Sequence, residues 1–432
     1  MRRKTVALIS LVITLTLALT ACSGASATTA NMATQGETTT AAPASSEPVK
    51  ITLMQSKTEI QNDLQTVIDD FNSSHPEIEV ELLGTSGDNY ATVLQSSFAA
   101  DAASAPTIFS LSGPDSPKFQ QFYATLDDTA AAKILPDSLK PEFTVNQSLY
   151  GLPSSVEGYG LIYNADMFAQ ANIDPASLTS IDALVSACQD LAKIDGVKAP
   201  IGFAKETYFI FIHFFNWATA LDSNYHQDLA DVASGSKTMA DIATVKQWAL
   251  DLDKILPYTN KGLASYDDQV AGFSAGQYAM IHQGNWAQQV IDQNEVTFNY
   301  GFIPYPTSNN DKLAVGTATA WRVNNQASVE QQAAAKTFLD WLITSEQGQT
   351  YSADLLQFIP AYKGVKAPAG KLTESVANFV SQSKTVGWVY NTDFPTGIDV
   401  DGAAAMEKYY AGQINSEELL NEITAAWVKD SK

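Results

Sequence analysis

The chain has 432 residues, 45% of them hydrophobic, and a formal net charge of −22. That length is more than one compact core usually serves, so two lobes of ordinary size are expected. Past Arg2, Arg3 and Lys4 no run of Lys or Arg could displace phosphate counterions, which excludes nucleic acid as a partner and leaves the acidity to act on solubility.

The opening "MRRKTVALISLVITLTLALTAC" places an apolar segment, 6–19, between a basic start and small residues, the layout of a secretory signal over 1–21. Its apolar part is too short to favour a membrane span. The end, Leu19-Thr20-Ala21-Cys22, resembles the bacterial lipobox, which implies that Cys22 is diacylated and begins the mature protein. From 22 to 48 the chain is Ala, Ser, Thr and Gly with almost no large apolar residue, so it cannot offset its ordering entropy and reads as a tether from that lipid. Cys188 is then the remaining thiol; it shares a helical face with Leu184 and Leu191 and reads as a buried structural residue.

The body begins with a strand, "VKITLMQS", and a helix that sets Ile60, Leu64, Val67, Ile68 and Phe71 on one face and stops at Pro76. The strand "IEVELLG", a helix over 90–100 and the strand "TIFSLS" follow, a βαβαβ series that predicts a mostly parallel sheet flanked by helices. Ligands of such sheets bind beyond the carboxyl ends of the strands, here near Lys57 and Asp115. A second series starts after "YGLPSSVEGYGLIYN". Strands "IGFA", "YAMIHQ" and "YGFIPY" alternate with helices over 182–194, 209–220 and 245–255, and "TAWRVNN" precedes a long amphipathic helix, "SVEQQAAAKTFLDWLIT".

In "AGFSAGQYAMIHQGNWAQQV" a strand ends in a Gly284-Asn285 turn and then presents Trp286, a large aromatic where a small polar residue is usual. Together with "YGLPSSVEGYGLIYNADMF" and "AKTFLDWLITSEQGQTYSADLLQFIPAY", in this order behind a lipobox, the motif resembles the maltose-type extracellular solute-binding proteins of carbohydrate ABC importers. The resemblance covers the chain from Val49 to its end. It implies an α/β, two-lobe periplasmic-binding-protein-like fold, each lobe a mostly parallel sheet flanked by helices, with a sugar in the cleft between lobes. The first lobe would hold 49–155 and about 317–358, the second about 159–306 and about 362–432, with hinge crossings near 156–158, 307–316 and 359–361.

A sugar needs aromatic faces for its C–H patches and hydrogen-bonding groups for its hydroxyls. The resemblance carries the ligand-binding roles onto Trp286, Glu157, Glu206, Tyr208, Lys57, Asp115, Trp388 and Thr317, with Trp321 on the same strand as a further candidate. Trp286 could instead pack in a core and Tyr208 could open the apolar run that follows it. Lys57 and Asp115 could be surface ion-pair members. The partners implied are a carbohydrate ligand, ABC permease subunits and, through the N-terminal lipid, the outer face of a Gram-positive-type cell membrane, with the protein a monomer. No cofactor, metal or catalytic residue is expected. G-x-S-x-G, H-E-x-x-H and Walker motifs are absent, the histidines show no ligand spacing, and the calcium-like "GIDVDG" lacks its closing carboxylate. The alternatives are a receptor for a peptide or polyamine, which would use the acidic balance, and a secreted glycoside hydrolase, which would use a pair such as Glu157 and Glu206.

Overall fold

The computed structural model describes residues 47–84, 89–111, 113, 116–137 and 139–432. The signal segment, Cys22 and nearly all of the tether lie outside the described residues, as does Asp115.

The alternating segments become strands as expected. Val49–Met54 runs parallel to Ile78–Leu82 on one side and to Ile108–Leu111 on the other, and each turns its apolar residues inward. The helix Gln61–Ser74 closes this core with Leu64, Val67, Ile68 and Phe71. The opposite contribution comes from far along the chain. Val329–Thr344, started by a capping box between Ser328 and Gln331, adds Phe338, Leu339 and Leu342 to the same core. A five-stranded sheet results, completed by Ala320–Val323 and Leu152–Pro153.

The second sheet has six strands and is organised around Val156–Asn164. Tyr278–Gly284 lies on one edge of that strand, while Tyr300–Ile303 and Leu313–Thr317 share the other. Ala199–Gly202 and Thr385–Val386 extend the sheet outward. Its helices bury Trp217, Trp248 and Trp427 completely or nearly so, and Cys188 sits wholly inside this core, where burial pushes its thiol up to about 12. This is the α/β two-lobe architecture expected from the sequence.

One strand in each sheet opposes the others: Ala320–Val323 in the first, Val156–Asn164 in the second. Each is the strand that the chain makes immediately on arriving from the other sheet. Ser154 and Ser155 alone separate Leu152–Pro153 from Val156, and Ala318 and Thr319 alone separate Leu313–Thr317 from Ala320. Connections this short cannot turn the chain round, whereas parallel neighbours need long crossovers. The two passages run side by side, with Ser154 N donating to Thr319 O at 2.8 Å and Ala318 N to Ser155 O at 3.1 Å.

The crossings therefore fall elsewhere than expected at two places. The segment 307–316 is not a crossing: Leu313–Thr317 is laddered to Val156–Asn164 within the second sheet, so the passage comes at Ala318 and Thr319. Ile359 does touch Val156, but Ala361, Tyr362 and Val365 return to the first core, where Tyr362 Oη donates to Pro153 O. The chain reaches the second lobe at Gly370 and Leu372, against Gln288.

The lobes touch through side chains. Lys57 reaches Glu157, Gln289 donates to Asp63, and Glu142 accepts from Asn391.

Candidate functional site

Register explains why one end of the second sheet is aromatic. Glu157 pairs with Gly316 and Tyr159 with Gly284, and opposed residues of an antiparallel pair face the same way, as do residues two apart on one strand. Glu157, Tyr159, Gly284 and Gly316 thus share a face on which both glycines leave room. Trp286 folds over Gly284, where an added Cβ would lie 2.1 Å from the indole. Trp388 covers Gly316, where a Cβ would lie 2.5 Å away. Between them Tyr159 sits 6.3 Å from the Trp286 ring and 5.4 Å from the Trp388 ring.

Trp286 is fixed by its turn. Asn285 N donates to Gly158 O at 3.0 Å and Asn285 Oδ1 accepts from Gly158 N at 2.7 Å, clamping the turn to the central strand. The indole Nε1 donates to Gln283 Oε1 at 2.8 Å, and that amide continues through Gln269 to Gly202 O. With its polar edge spent inside the protein, the ring can offer only its faces. One is near-parallel to Phe209, 5.9 Å away at 14°.

Phe209 and Tyr208 belong to a π-helical turn, Tyr208–Ile212, that opens the expected 209–220 helix; such turns are common at functional sites. Just before it, Glu206 Oε1 accepts from Tyr266 N at 2.9 Å, while Oε2 is buried with no partner among the described residues. Tyr266 Oη and Trp388 Nε1 are likewise buried with no partner among the described residues. The Trp388 segment is held by Asn216, which donates to Gly387 O and accepts from Val389 N. Tyr390 stacks on Trp388 at 5.4 Å. His213 stacks on Tyr159 at 4.4 Å, and burial, followed by the charges of His282 and Lys57, holds its imidazole well below the usual histidine range.

The first lobe faces this wall with the chain that leaves Val49–Met54. Buried Gln55 pins it, accepting from Lys57 N and donating to Lys57 O and Gln61 Oε1. Lys57 Nζ then lies 2.7 Å from Glu157 Oε1, 3.4 Å from Glu59 and 5.8 Å from the centre of Trp286. Burial pulls the ammonium pKa down, but the Glu157 and Glu59 carboxylates outweigh it and leave Lys57 raised. Ser155 Oγ adds a 3.1 Å bond to the same Glu157 oxygen.

These residues enclose a cleft of about 390 Å³, within the range of about 300–1,000 Å³ for small-ligand sites. It brings together Lys57, Glu157, Glu206, Tyr208, Trp286 and Trp388 of the residues singled out in the sequence. Thr317 does not line it: Thr317 Oγ1 donates to Glu142 beside a separate cavity of about 30 Å³. Burial, the largest influence there, raises the Glu142 carboxyl, although Thr317 and Asn391 donate to it. Trp321 is 2% exposed in the first core, because its strand turns it away from the cleft. Asp399 lines the cleft from the helix Ile398–Tyr410, which also contains Asp401 and Gly402, so "GIDVDG" is not a calcium loop. Sequence reasoning missed Tyr266, Phe209, His213 and Tyr390. Tyr390 stands two residues beyond Trp388 in the same motif and was within reach; Tyr266 opens an ordinary capped helix and carries no local signal.

Residues 66–380 match the family model of the bacterial extracellular solute-binding proteins. A multiple sugar-binding protein of Streptococcus mutans is 23% identical, over 79% of this chain and 82% of its own length. Among solved structures, a chitin oligosaccharide binding protein superposes with a TM-score of 0.75 at 20% identity, covering 89% of this chain and 100% of that one. The solute-binding protein RafE in complex with raffinose gives 0.73 at 19% identity, covering 89% and 100%. At these identities the solved structures speak for the fold, while the family match spans most of the chain. The chain belongs to the bacterial extracellular solute-binding protein family.

Proposed function

We propose that this protein is a carbohydrate receptor of an ABC importer, which takes a mono- or oligosaccharide into the cleft between its lobes and presents it to a permease. The observation that carries the reading is the wall around Tyr159. Aromatic faces from Trp286 and Trp388 stand beside an acceptor, Glu206 Oε2, and donors, Tyr266 Oη and Trp388 Nε1, that have no partner among the described residues. A sugar supplies what such a wall lacks: C–H patches for the rings and hydroxyls for the polar atoms. The match to the multiple sugar-binding protein and the likeness to the raffinose and chitin oligosaccharide binders support the same substrate class.

In this reading Glu157, Glu206, Tyr208, Trp286, Trp388 and Lys57 contact the sugar, with Asp115 a first-lobe contact. Thr317 serves the crossing. Lobe closure around the paired passages at Ser154–Ser155 and Ala318–Thr319 favours the bound state only as far as the sugar prefers closed to open. Lipid on Cys22 keeps the monomeric receptor at the outer membrane face. The protein binds without turnover: Glu157 is engaged by Lys57 and Ser155, and Glu206 by the Tyr266 amide, which suits ligand holding better than proton transfer.

Calorimetric titration against raffinose, stachyose and chitin and xylan oligosaccharides tests this, with reducing-sugar release assayed alongside. One-to-one binding without release is expected. Binding of a polyamine alone would establish instead the second reading, which the carboxylates of Glu59, Glu157 and Glu206 around a single lysine favour. Steady release of reducing sugar would make the protein a hydrolase.

A further inference from the structure

The small cavity beside the cleft is bounded by a polar cluster that the sugar site does not use. Glu142, half-buried on the first-lobe helix Lys140–Phe143, accepts at Oε1 from Thr317 Oγ1 at 2.5 Å and from Asn391 Nδ2 at 2.8 Å. Asn391 Nδ2 also donates to Thr317 O at 3.0 Å. Thr317 is the last residue of a second-sheet strand, and Asn391 lies on the second-lobe helix Tyr390–Asp393, so one first-lobe carboxylate binds two second-lobe partners. The backbones close up here as well: a Cβ on Gly113 would fall 2.0 Å from Asn391 Cα. Arg322, buried over the Tyr123 ring at 4.6 Å, bounds the same cavity from the first lobe.

The cluster is tied to the sugar wall by short covalent and hydrogen-bonded paths. Asn391 N donates to Trp388 O, and Asn391 directly follows Tyr390; both aromatic rings line the cleft. Thr317 follows Gly316, the glycine under Trp388. Glu142 itself lines only the cavity of about 30 Å³, which has room for roughly one water and none for a sugar ring.

We propose that Glu142 is a positioning residue for ligand binding: through Asn391 and Thr317 it latches the lobes together and sets the Trp388–Tyr390 wall, so that it governs how long the cleft stays shut without touching the ligand. The kinetic half of this rests on the sugar reading; the latch itself does not. The bonds from Glu142 to Thr317 and Asn391 cross between the lobes, so they stabilise the closed state selectively, and their loss appears in release rather than capture.

The test pairs E142A with N391A and their double mutant. In ligand-free solution scattering, each single variant is expected to be less compact than the parent. Stopped-flow with a sugar that the parent binds should show release faster by about tenfold for E142A and by less for N391A, which keeps the Thr317–Glu142 bond, with association unchanged within about twofold and the double mutant matching E142A, in which the Glu142–Asn391 contact is already gone. E142Q, which keeps shape and an acceptor oxygen, should fall between E142A and the parent. Lower melting temperatures with unaltered compactness and release would overturn the proposal by making the cluster merely structural, as would a double mutant whose effects simply add. If the parent binds no sugar yet E142A still opens, the latch stands and the sugar reading fails.

Discussion

The two walls of the cleft are built differently. The first lobe offers Ser56, Lys57, Thr58 and Glu59 from one loop, and its aromatic there, Tyr90, has its hydroxyl engaged with Met54 O and Ser110 O. Its lysine is held by Glu157 and Glu59. The second lobe offers Trp286, Trp388, Tyr390, Phe209 and Tyr266 and keeps the polar atoms that have no partner among the described residues. Apolar contact and unsatisfied hydrogen bonding are what a dehydrated sugar answers, so under the proposed function the second lobe would be the wall that reads the ligand and the first the one that closes on it.

If that division is right, Trp286→Ala should give the largest loss. Sugar affinity should fall by about 100-fold, roughly 2.7 kcal/mol, with cooperative melting retained, because the ring is half-buried at the rim of the core rather than inside it. Calorimetry and a thermal melt check both halves, and unchanged affinity would return the indole to a packing role. Gly284→Ala comes next, at roughly tenfold or more by the same titration. The glycine needs no contact with sugar for this, since its new Cβ would stand within the space of the Trp286 ring. Lys57→Met should cost less, about tenfold at most. It leaves Glu157 without its cation, yet the lobes can part and admit water to that carboxylate, which limits the penalty of an unpaired charge. A loss with Lys57→Met exceeding that of Trp286→Ala would invert the division between the walls.

The same contrast shows what could be read in the sequence. Strands and helices carried their own periodicity, so the α/β series and the two lobes were legible, including the long helix Val329–Thr344. Trp286 was legible because an aromatic behind a Gly-Asn turn breaks a local rule. The crossings were not: whether 313–317 stays in the second sheet depends on its pairing with Val156–Asn164, a contact far away in the chain. Thr317 failed as a cleft residue for the same reason, its direction being set by that pairing and by Glu142. Tyr266 and His213 joined the site through packing against distant segments, and no local pattern announces that.

The smallest effect concerns the histidines behind the reading wall. His282 is 1% exposed, 4.8 Å from the Phe214 ring, and burial holds its imidazole down to about 3; His213 is lowered in the same direction by burial and by neighbouring charge. A base whose folded pKa is depressed contributes stability that is complete above its unfolded value, near 6.5, and that is lost as pH falls toward the folded value. Between about pH 6.5 and 5.5 the unfolded chain takes up these protons and the folded one does not, so each histidine should cost about 1 kcal/mol across the interval, before most carboxylates titrate. Denaturant midpoints should therefore decline across this interval, and His282→Phe should roughly halve the slope whatever it does to absolute stability. Sugar affinity should stay nearly level over the same interval, because burial keeps the His213 imidazole of that wall neutral while folded. A parallel decline in affinity would mean that protonation reaches His213 in the folded cleft, and the wall would then be wetter and less rigid than the stacking of Tyr159 on His213 implies.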